Sequence, residues 1–468
     1  MSNNILNRDY LLSNTFLILG VCALYLNSIP ITTADSAIWL KLGDLFWQNL
    51  VVVTQDPFSF LKTKEMIYPS WGAGAIYSVL NSIGGIKFVD FFHKFYHLVF
   101  IFLSILFNKT YFSNKLNLSK MIFLFLSIYL GTFFINRPAQ LVTIPFLLTI
   151  FIFFSEKKTH PILKIFYTLI IGAFWINIHG SGILFPLFVG LSFLISFWKR
   201  KAICPISLLT LLISISILFL TPFGTDLFPY ILETSIVSKA RGITEWDPIF
   251  SRYYLEQTIG YFLLLAYSIY EFSQSRIKQN YLPPFIAMNV LALSGIRHSA
   301  LPAWMAPIAV KENPLTKEQT KRNPTKGFQV FTVILLFFGL LTFFPFIQRI
   351  ISPSQFMEFN KYSPVEMVKL IDNEENIFNE FEFGSYLVYS VPNKIFMDTR
   401  NIIYSEEQFE EYKEIMLAGP KMKSLLDKYD IQWILVGSSR KNIVTIIEKS
   451  PKWKVIQKDE HFFLAQKI

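Results

Sequence analysis

The amino-acid sequence predicts a polytopic α-helical membrane protein of about eleven transmembrane helices with a soluble α/β domain at its C-terminal end. Three observations predict it. Hydrophobic residues make up 52% of the chain, with 49 phenylalanines in 468 residues, and the mean hydropathy is +0.41; a soluble core of this length does not need so much apolar surface. The apolar residues gather into runs close to the roughly 20 residues that cross a bilayer, joined by short basic loops. Charge then divides the chain, with 28 Lys and Arg against 15 Asp and Glu in residues 1–350 but 15 against 18 in residues 351–468.

Taken in order, an apolar run from Leu11 to about Pro30 reads as a retained first helix, with a cleaved signal peptide as the competing reading. Residues 31–85 then form an external loop. Its last part, Ser70–Gly85, is interrupted by Gly72, Gly74, Gly84 and Gly85 and reads as a helix lying along the interface, so that only Ile86–Phe107 spans. Further spans are expected at about 121–135, 139–154, 162–178, 181–197, 205–221, 255–271, 281–296, 299–310 and 328–347. Keeping Ser70–Gly85 flat places every basic short loop that follows, from Lys109 to the Lys311–Lys326 run, on the N-terminal side, as the positive-inside tendency requires. The basic excess is therefore a topology signal and not a nucleic-acid site. Two cysteines, Cys22 and Cys204, give no basis for a structural disulfide.

This topology gathers a second set of residues on the opposite, external face. They are Asp35 and Asp56, Asn136-Arg137-Pro138, His179-Gly180, the Pro222–Tyr254 loop with Asp226, Glu245 and Asp247, and Arg297-His298. None of them was needed to set the topology. The connections at Arg137, His179 and Arg297 are short turns between apolar helices, close to the headgroup plane, where an arginine needs an anionic partner.

The order of these motifs resembles the GT-C superfamily of glycosyltransferases that use polyprenyl-phosphate sugars, close to bacterial mannosyltransferase-like multipass proteins. The resemblance rests on Asp35-Ser36 through Leu42-Gly43, Asp56-Pro57-Phe58-Ser59, Arg137-Pro138, Asn177-Ile178-His179-Gly180, Thr221-Pro222-Phe223-Gly224, Glu245-Trp246 and Arg297-His298. It covers nearly the whole membrane part. It implies that an acid of the first external loop, here Asp35, acts in sugar transfer, with Asp56 in the same loop the second catalytic candidate. Position 37 is Ala, so the paired Asp-x-Asp pattern is missing and a divalent metal, though compatible with the chemistry, has no such pair to hold it.

The chemistry implied is attack by an acceptor on the anomeric carbon of a sugar whose leaving group is a lipid phosphate. A carboxylate partly buried at the membrane face gains the basicity to take the acceptor's proton. Guanidinium groups give the departing phosphate permanent charge and forked hydrogen bonds, which nominates Arg137 and Arg297, with His179, Glu245 and His298 as further substrate contacts. For each group an ordinary role competes: Asp35 as one acid of a solvated loop, the histidines as helix-end residues satisfied by backbone carbonyls. The partners implied are a polyprenyl-phosphate sugar donor, a glycan, lipid or protein acceptor, and the bilayer, in the cytoplasmic membrane with the N-terminus inside. A transporter or flippase for a lipid-linked glycan, or a non-catalytic assembly protein, is the alternative.

From about Ile351 the pattern alternates strands and helices and predicts an external α/β domain. Strands are expected at Lys394–Arg400 and Ile431–Gly437, helices at Ser405–Leu417, Lys421–Tyr429 and Ile443–Lys449, and a hairpin at Trp453–Gln466. The segment Phe378-Asn379 through Phe383-Gly384-Ser385-Tyr386, followed by Phe396-Met397-Asp398-Thr399-Arg400, resembles the tail of the same bacterial group. Asp398 and Arg400 read as a structural ion pair, and Gly437-Ser438-Ser439 as a turn.

Overall fold

The computed structural model describes residues 34–107, 130, 138–155, 159–250, 254–273, 279–309, 363–371 and 375–468. In chain order the helices are α1 (Ala34–Asn49), α2 (Trp71–Phe107), α3 (Thr143–Phe154), α4 (Pro161–Ile178), α5 (Leu184–Arg200), α6 (Pro205–Ile217), α7 (Leu227–Ala240), α8 (Leu255–Ser273), α9 (Leu282–Ser294) and α10 (Ala300–Ala309). Four strands and further helices follow after residue 363. The described residues fall into two compact units: one drawn from Asp90–Thr225 and Lys239–Pro353, the other from Ile29–Val89, Asp226–Ser238 and Ser354–Ile468. The segment expected to be an external loop thus belongs to the same compact unit as the C-terminal region.

The first unit is helical. Prolines at the starts of α4, α6 and α9 stand where the missing N–H costs no intrahelical bond. Its interior is aromatic: Phe146 of α3 meets Trp175 of α4, Phe188 of α5 and Trp304 of α10 edge to face, with centroids 5.5 to 6.2 Å apart. Its outside is equally apolar. Ile162, Leu163, Phe166, Leu169, Ile170 and Phe174 of α4 are all exposed, which water would penalise and lipid does not. Among the described residues two helices, Pro161–Ile178 and Gly180–Arg200, are long and apolar enough to cross a membrane, and most of the residues in each are not buried within the protein. The runs Pro138–Phe154 and Pro205–Ile217 are apolar but shorter. The expectation of about eleven spans is therefore not met among the described residues; those at 11–30, 121–135 (apart from Leu130) and 328–347 lie outside them.

The second unit is built on a four-stranded sheet, β1 (Ile377–Asn379), β2 (Trp433–Gly437), β3 (Trp453–Lys458) and β4 (Phe462–Lys467), in the order β1-β2-β4-β3. β1 runs parallel to β2, and β2–β4 and β4–β3 are antiparallel. Every residue of β2 is buried, as a central strand covered on both faces requires. Five further helices pack with the sheet: α11 (Val365–Val368), α12 (Phe381–Ser390), α13 (Glu406–Met416), α14 (Met422–Lys428) and α15 (Lys441–Glu448). Ser405 and Gln408 close a capping box at the start of α13. Lys394–Arg400, expected as a strand, forms only isolated bridges from Ile395 to Ser59 and Ile377; β1, three residues long, takes the place beside β2.

Within residues 31–70 the chain is helical from Ala34 to Asn49 rather than a loop throughout. Ile38 and Leu42 of α1 enter the same apolar core as Leu387, Phe396 and Trp433, with Trp39 and Leu45 packed against it. That spacing of three to four residues is the period of a buried helix face. Helix α2 begins at Trp71 and breaks at Gly84 and Gly85, where Gly85 takes φ 69°, a conformation open to glycine at little cost.

Candidate active site

In the second unit, Asp35 stands in the first turn of α1. The position of that helix is set by a close crossing with α2: a Cβ on Gly43 would lie 2.1 Å from the Gly74 carbonyl oxygen, and one on Gly74 2.8 Å from the Trp39 carbonyl oxygen. Only glycines allow the two backbones so near. Ser78 donates to Asp44 Oδ1 at 2.5 Å, and Trp47 Nε1 donates to the Ala75 carbonyl at 2.9 Å, so side-chain bonds lock the crossing.

Asp56 lies in a buried charged cluster. Arg400 donates to Asp398 through Nε (2.9 Å to Oδ1) and Nη2 (2.5 Å to Oδ2), and the same Nη2 reaches Asp56 Oδ1 at 2.8 Å. The side chains of Asp56 and Asp398 are fully buried and that of Arg400 is 9% exposed. One guanidinium faces two carboxylates, so the cluster carries a surplus negative charge in a medium that solvates it poorly. Burial, together with the charge of Asp398, holds Asp56 above the ordinary carboxylate range even though Arg400 pulls it down. Burial opposes the charge on Arg400 most strongly, but the charge and hydrogen bonds of Asp398 together with Tyr404 and Asp56 outweigh it and keep the guanidinium protonated. Burial and the neighbouring Asp398 also push the Tyr404 phenol well up.

Around this cluster, residues 56–66 are fastened to residues 395–408 by backbone and side chain alike. Asp56 accepts from the amides of Phe58 (3.1 Å) and Ser59 (3.3 Å). Ile395 N donates to the Phe58 carbonyl and Phe60 N to the Ile395 carbonyl, at 3.0 and 3.3 Å. Ser59 Oγ donates to the Phe396 carbonyl at 2.9 Å, Lys64 N to the Ile403 carbonyl at 2.9 Å, and Gln408 Nε2 to the Lys62 carbonyl at 3.0 Å. Arg400 also lies 5.1 Å from the Phe58 ring centroid. This geometry makes Asp56 the fastening of the segment.

In the first unit, two motifs far apart in sequence meet. The 3-10 turns Thr244–Trp246 and Ile296–His298 are joined by a hydrogen bond from Ile296 N to the Asp247 carbonyl at 2.9 Å. The Arg297 guanidinium lies over the Trp246 ring at 4.1 Å, and His298 meets the same indole edge-on at 6.3 Å, with its Nδ1 3.2 Å from the Leu291 carbonyl. Such stacking holds the planar donor fork of an arginine in one plane and lends it about 0.5–2 kcal/mol. Glu245 stands in the first of these turns.

His179 ends α4 and caps the next turn. Its Nδ1 accepts from the Ser181 amide at 3.1 Å and lies 2.9 Å from Ser181 Oγ, which leaves Nε2 to carry the ring proton when the ring is neutral. A Cβ on Gly182 would lie 2.4 Å from Ile176 Cα, so the turn closes only around glycine.

The sequence-nominated groups thus divide. Asp35 and Asp56 belong to one unit, His179, Glu245, Arg297 and His298 to the other; Arg137 lies outside the described residues. Glu245-Trp246 and Arg297-His298 are brought together. The Asp56–Arg400 pairing was missed, because the Asp398–Arg400 pair was read without its third member; the acid of Asp56-Pro57 and the buried Asp398-Thr399-Arg400 were each visible as isolated charges in apolar surroundings. At Gly437-Ser438-Ser439, the Gly437 amide donates to Glu380 Oε2 at 2.8 Å, and Glu380 pairs with Arg440, so the turn is filled by the chain's own carboxylate. Among the described residues no group of three His, Cys, Asp or Glu side chains is placed to hold a metal.

No protein-family model and no curated protein matches the chain. Among solved structures, the apo oligosaccharyltransferase of Archaeoglobus fulgidus superposes with a TM-score of 0.52 at 12% identity, over 91% of this chain and 69% of that one. Two further structures of the Archaeoglobus fulgidus enzyme cover the same shares. One is tethered to an acceptor peptide with an NVT sequon through a disulfide (TM-score 0.46, 11% identity); the other is in complex with an inhibitory peptide and a dolichol-phosphate (0.47, 10%). The narrower likeness to bacterial mannosyltransferases has no match among these. At such identities what is shared is the fold, which this chain has in common with the apo oligosaccharyltransferase.

Proposed function

We propose that the chain is a membrane glycosyltransferase that moves a sugar from a polyprenyl-phosphate donor to an acceptor at the external face of the cytoplasmic membrane. The observation that carries this reading is the meeting of Glu245-Trp246 with Arg297-His298, a stacked guanidinium beside an imidazole, in a chain that shares its fold with an oligosaccharyltransferase. The guanidinium of Arg297, with Arg137, receives the charge that grows on the phosphate as the bond from the anomeric carbon to its oxygen breaks. The acceptor's nucleophile forms the new bond to that carbon and gives its proton to Asp35. Asp56, already engaged by Arg400, supports the segment and takes no proton from the acceptor. His179, His298 and Glu245 contact sugar hydroxyls or phosphate.

The test is transfer itself. Purified protein in liposomes, given a labelled polyprenyl-phosphate sugar and a panel of glycan, lipid and peptide acceptors, is expected to form a labelled product. Movement of the label across the bilayer with no product contradicts the enzyme and favours a transporter.

A further inference from the structure

Two side chains of the turn Ile296–His298 share one indole, and they differ in kind. The Arg297 guanidinium lies over the face of Trp246 at 4.1 Å, whereas the His298 ring stands at 89° to it with centroids 6.3 Å apart. His298 is anchored through one nitrogen: its Nδ1 is 3.2 Å from the Leu291 carbonyl oxygen and 3.4 Å from Ser294 Oγ. A carbonyl can only accept, so Nδ1 carries a proton and donates it. Among the described residues no hydrogen bond reaches Nε2. His179 has the opposite tautomer, since its Nδ1 accepts from the Ser181 amide.

Whether Nε2 also holds a proton is decided by the surroundings. Burial disfavours the charged ring most, and the positive charges of Arg297 and Lys239 add to it; against the Leu291 carbonyl they push the imidazole down to about 4. Arg297 stands on the same turn as the ring, and Lys239 in the last turn of α7. The acids of the facing turn are Glu245 and its neighbour Asp247, and the ring is lowered with both in place. At neutral pH the imidazole is therefore uncharged, with its proton on Nδ1 and a lone pair on Nε2.

We propose that His298 is a hydrogen-bond acceptor for a hydroxyl of the donor sugar, and that the phosphate is left to the guanidinium on the same indole. The oxygens of a phosphodiester bring no proton, so a bare Nε2 facing one would set lone pair against lone pair. A hydroxyl supplies the proton that Nε2 lacks. The two residues therefore sort the two chemical halves of a sugar phosphodiester: Arg297, held flat on Trp246, takes the charged half, and His298 selects a ligand whose uncharged half carries a hydroxyl. His298 is then a specificity-determining contact and not a phosphate ligand. The identity of the ligand rests on the glycosyltransferase reading above; the protonation of the ring does not.

The experiment is nitrogen-15 NMR of the full chain in liposomes, with both ring nitrogens of histidine labelled and the His298 signals assigned by their loss in His298→Gln and in His298→Asn. At neutral pH His298 is expected to show a protonated Nδ1 and an unprotonated Nε2. An imidazolium, or a proton on Nε2, overturns the proposal. A panel of farnesyl-phosphate hexoses is then compared with methyl farnesyl phosphate, a diester of the same charge without the sugar. At least one hexose derivative is expected to move the Nε2 signal to lower frequency, as an accepted hydrogen bond does, and the methyl ester to leave it in place. Movement with the methyl ester overturns the proposal in favour of a phosphate contact, and no movement with any hexose derivative overturns it as well. The two readings fail separately: a parent chain that transfers sugar while Nε2 stays unmoved refutes this contact alone, whereas label that crosses the bilayer without transfer refutes the enzyme and leaves the measured tautomer standing.

Discussion

Arg400 and Asp398 are joined by a two-pronged hydrogen bond, Nε to Oδ1 at 2.9 Å and Nη2 to Oδ2 at 2.5 Å, and the same guanidinium holds the fully buried carboxylate of Asp56, 344 positions earlier in the chain, at 2.8 Å. The pair therefore fastens an N-terminal segment to the core of the sheet-containing unit.

Removing the cation leaves two carboxylates buried together. Arg400→Met is expected to cost about 3–5 kcal/mol, read as a lowered unfolding temperature in detergent. Asp56→Asn in the same chain recovers part of the loss, since it removes one of the two unpaired charges. An Arg400→Met protein as stable as the parent would show that the cluster holds nothing.

Asp56 gives the unit a pH dependence of a definite sign. Burial raises its carboxyl above the ordinary value of 3.8, so the folded state binds the proton more tightly than the unfolded chain. The stability this contributes is fully present below the ordinary carboxylate value and is lost as pH rises through the raised, folded value. Asp56→Asn mimics the protonated form and is expected to gain stability relative to the parent as pH is raised across that window. Unfolding temperatures of the two proteins from acid to neutral pH check this; parallel curves contradict it.

Where α1 crosses α2, Gly43→Ala places a methyl group 2.1 Å from the Gly74 carbonyl oxygen. The backbones must part, and a destabilisation of about 1–3 kcal/mol is expected. Gly190→Ala in α5 is the control: its nearest neighbour would be 3.7 Å away, and the gain in helix propensity, about 0.5–1 kcal/mol, is expected to leave it as stable as the parent or more so. Equal behaviour of the two variants in thermal unfolding contradicts the close crossing.

If Arg297 receives the donor phosphate, its plane matters as well as its charge. Arg297→Lys keeps the charge and loses the face-on contact with Trp246 at 4.1 Å; Trp246→Leu removes the indole instead. Each is expected to raise the donor KM by roughly 2- to 30-fold, the ~0.5–2 kcal/mol of such a contact, while variation of the acceptor shows little change. An unchanged donor KM in both places the phosphate elsewhere.

Much of the helical layout was legible because apolar runs bounded by Pro and Gly name their own ends. Pro161, Pro205 and the His179-Gly180 turn fall at observed helix boundaries, and the interruption at Gly84-Gly85 is the observed break in α2. In the C-terminal region the helices at 406–416, 422–428 and 441–448 and the closing hairpin appear near where their periodicity places them. Helix α1 was hidden by its acids: Asp35 and Asp44 made the stretch read as loop, although Ile38, Leu42 and Leu45 carry the helical period. β1 is too short for a pattern, and the Lys394–Arg400 segment has strand composition but is held by single bridges and by the charge of Arg400. The Asp56–Arg400 contact, like the meeting of Trp246 with Arg297, depends on tertiary closure across long sequence separations, which no local spacing encodes.

The measurement that bears most directly on the central claim is sugar transfer by Asp35→Asn. With labelled polyprenyl-phosphate sugar and an accepted acceptor, the parent is expected to turn over and Asp35→Asn to lose at least about 100-fold in rate, the scale of a missing general base, with its unfolding temperature unchanged. Equal turnover by parent and Asp35→Asn would contradict the assignment of the reacting carboxylate and the mechanism built on it.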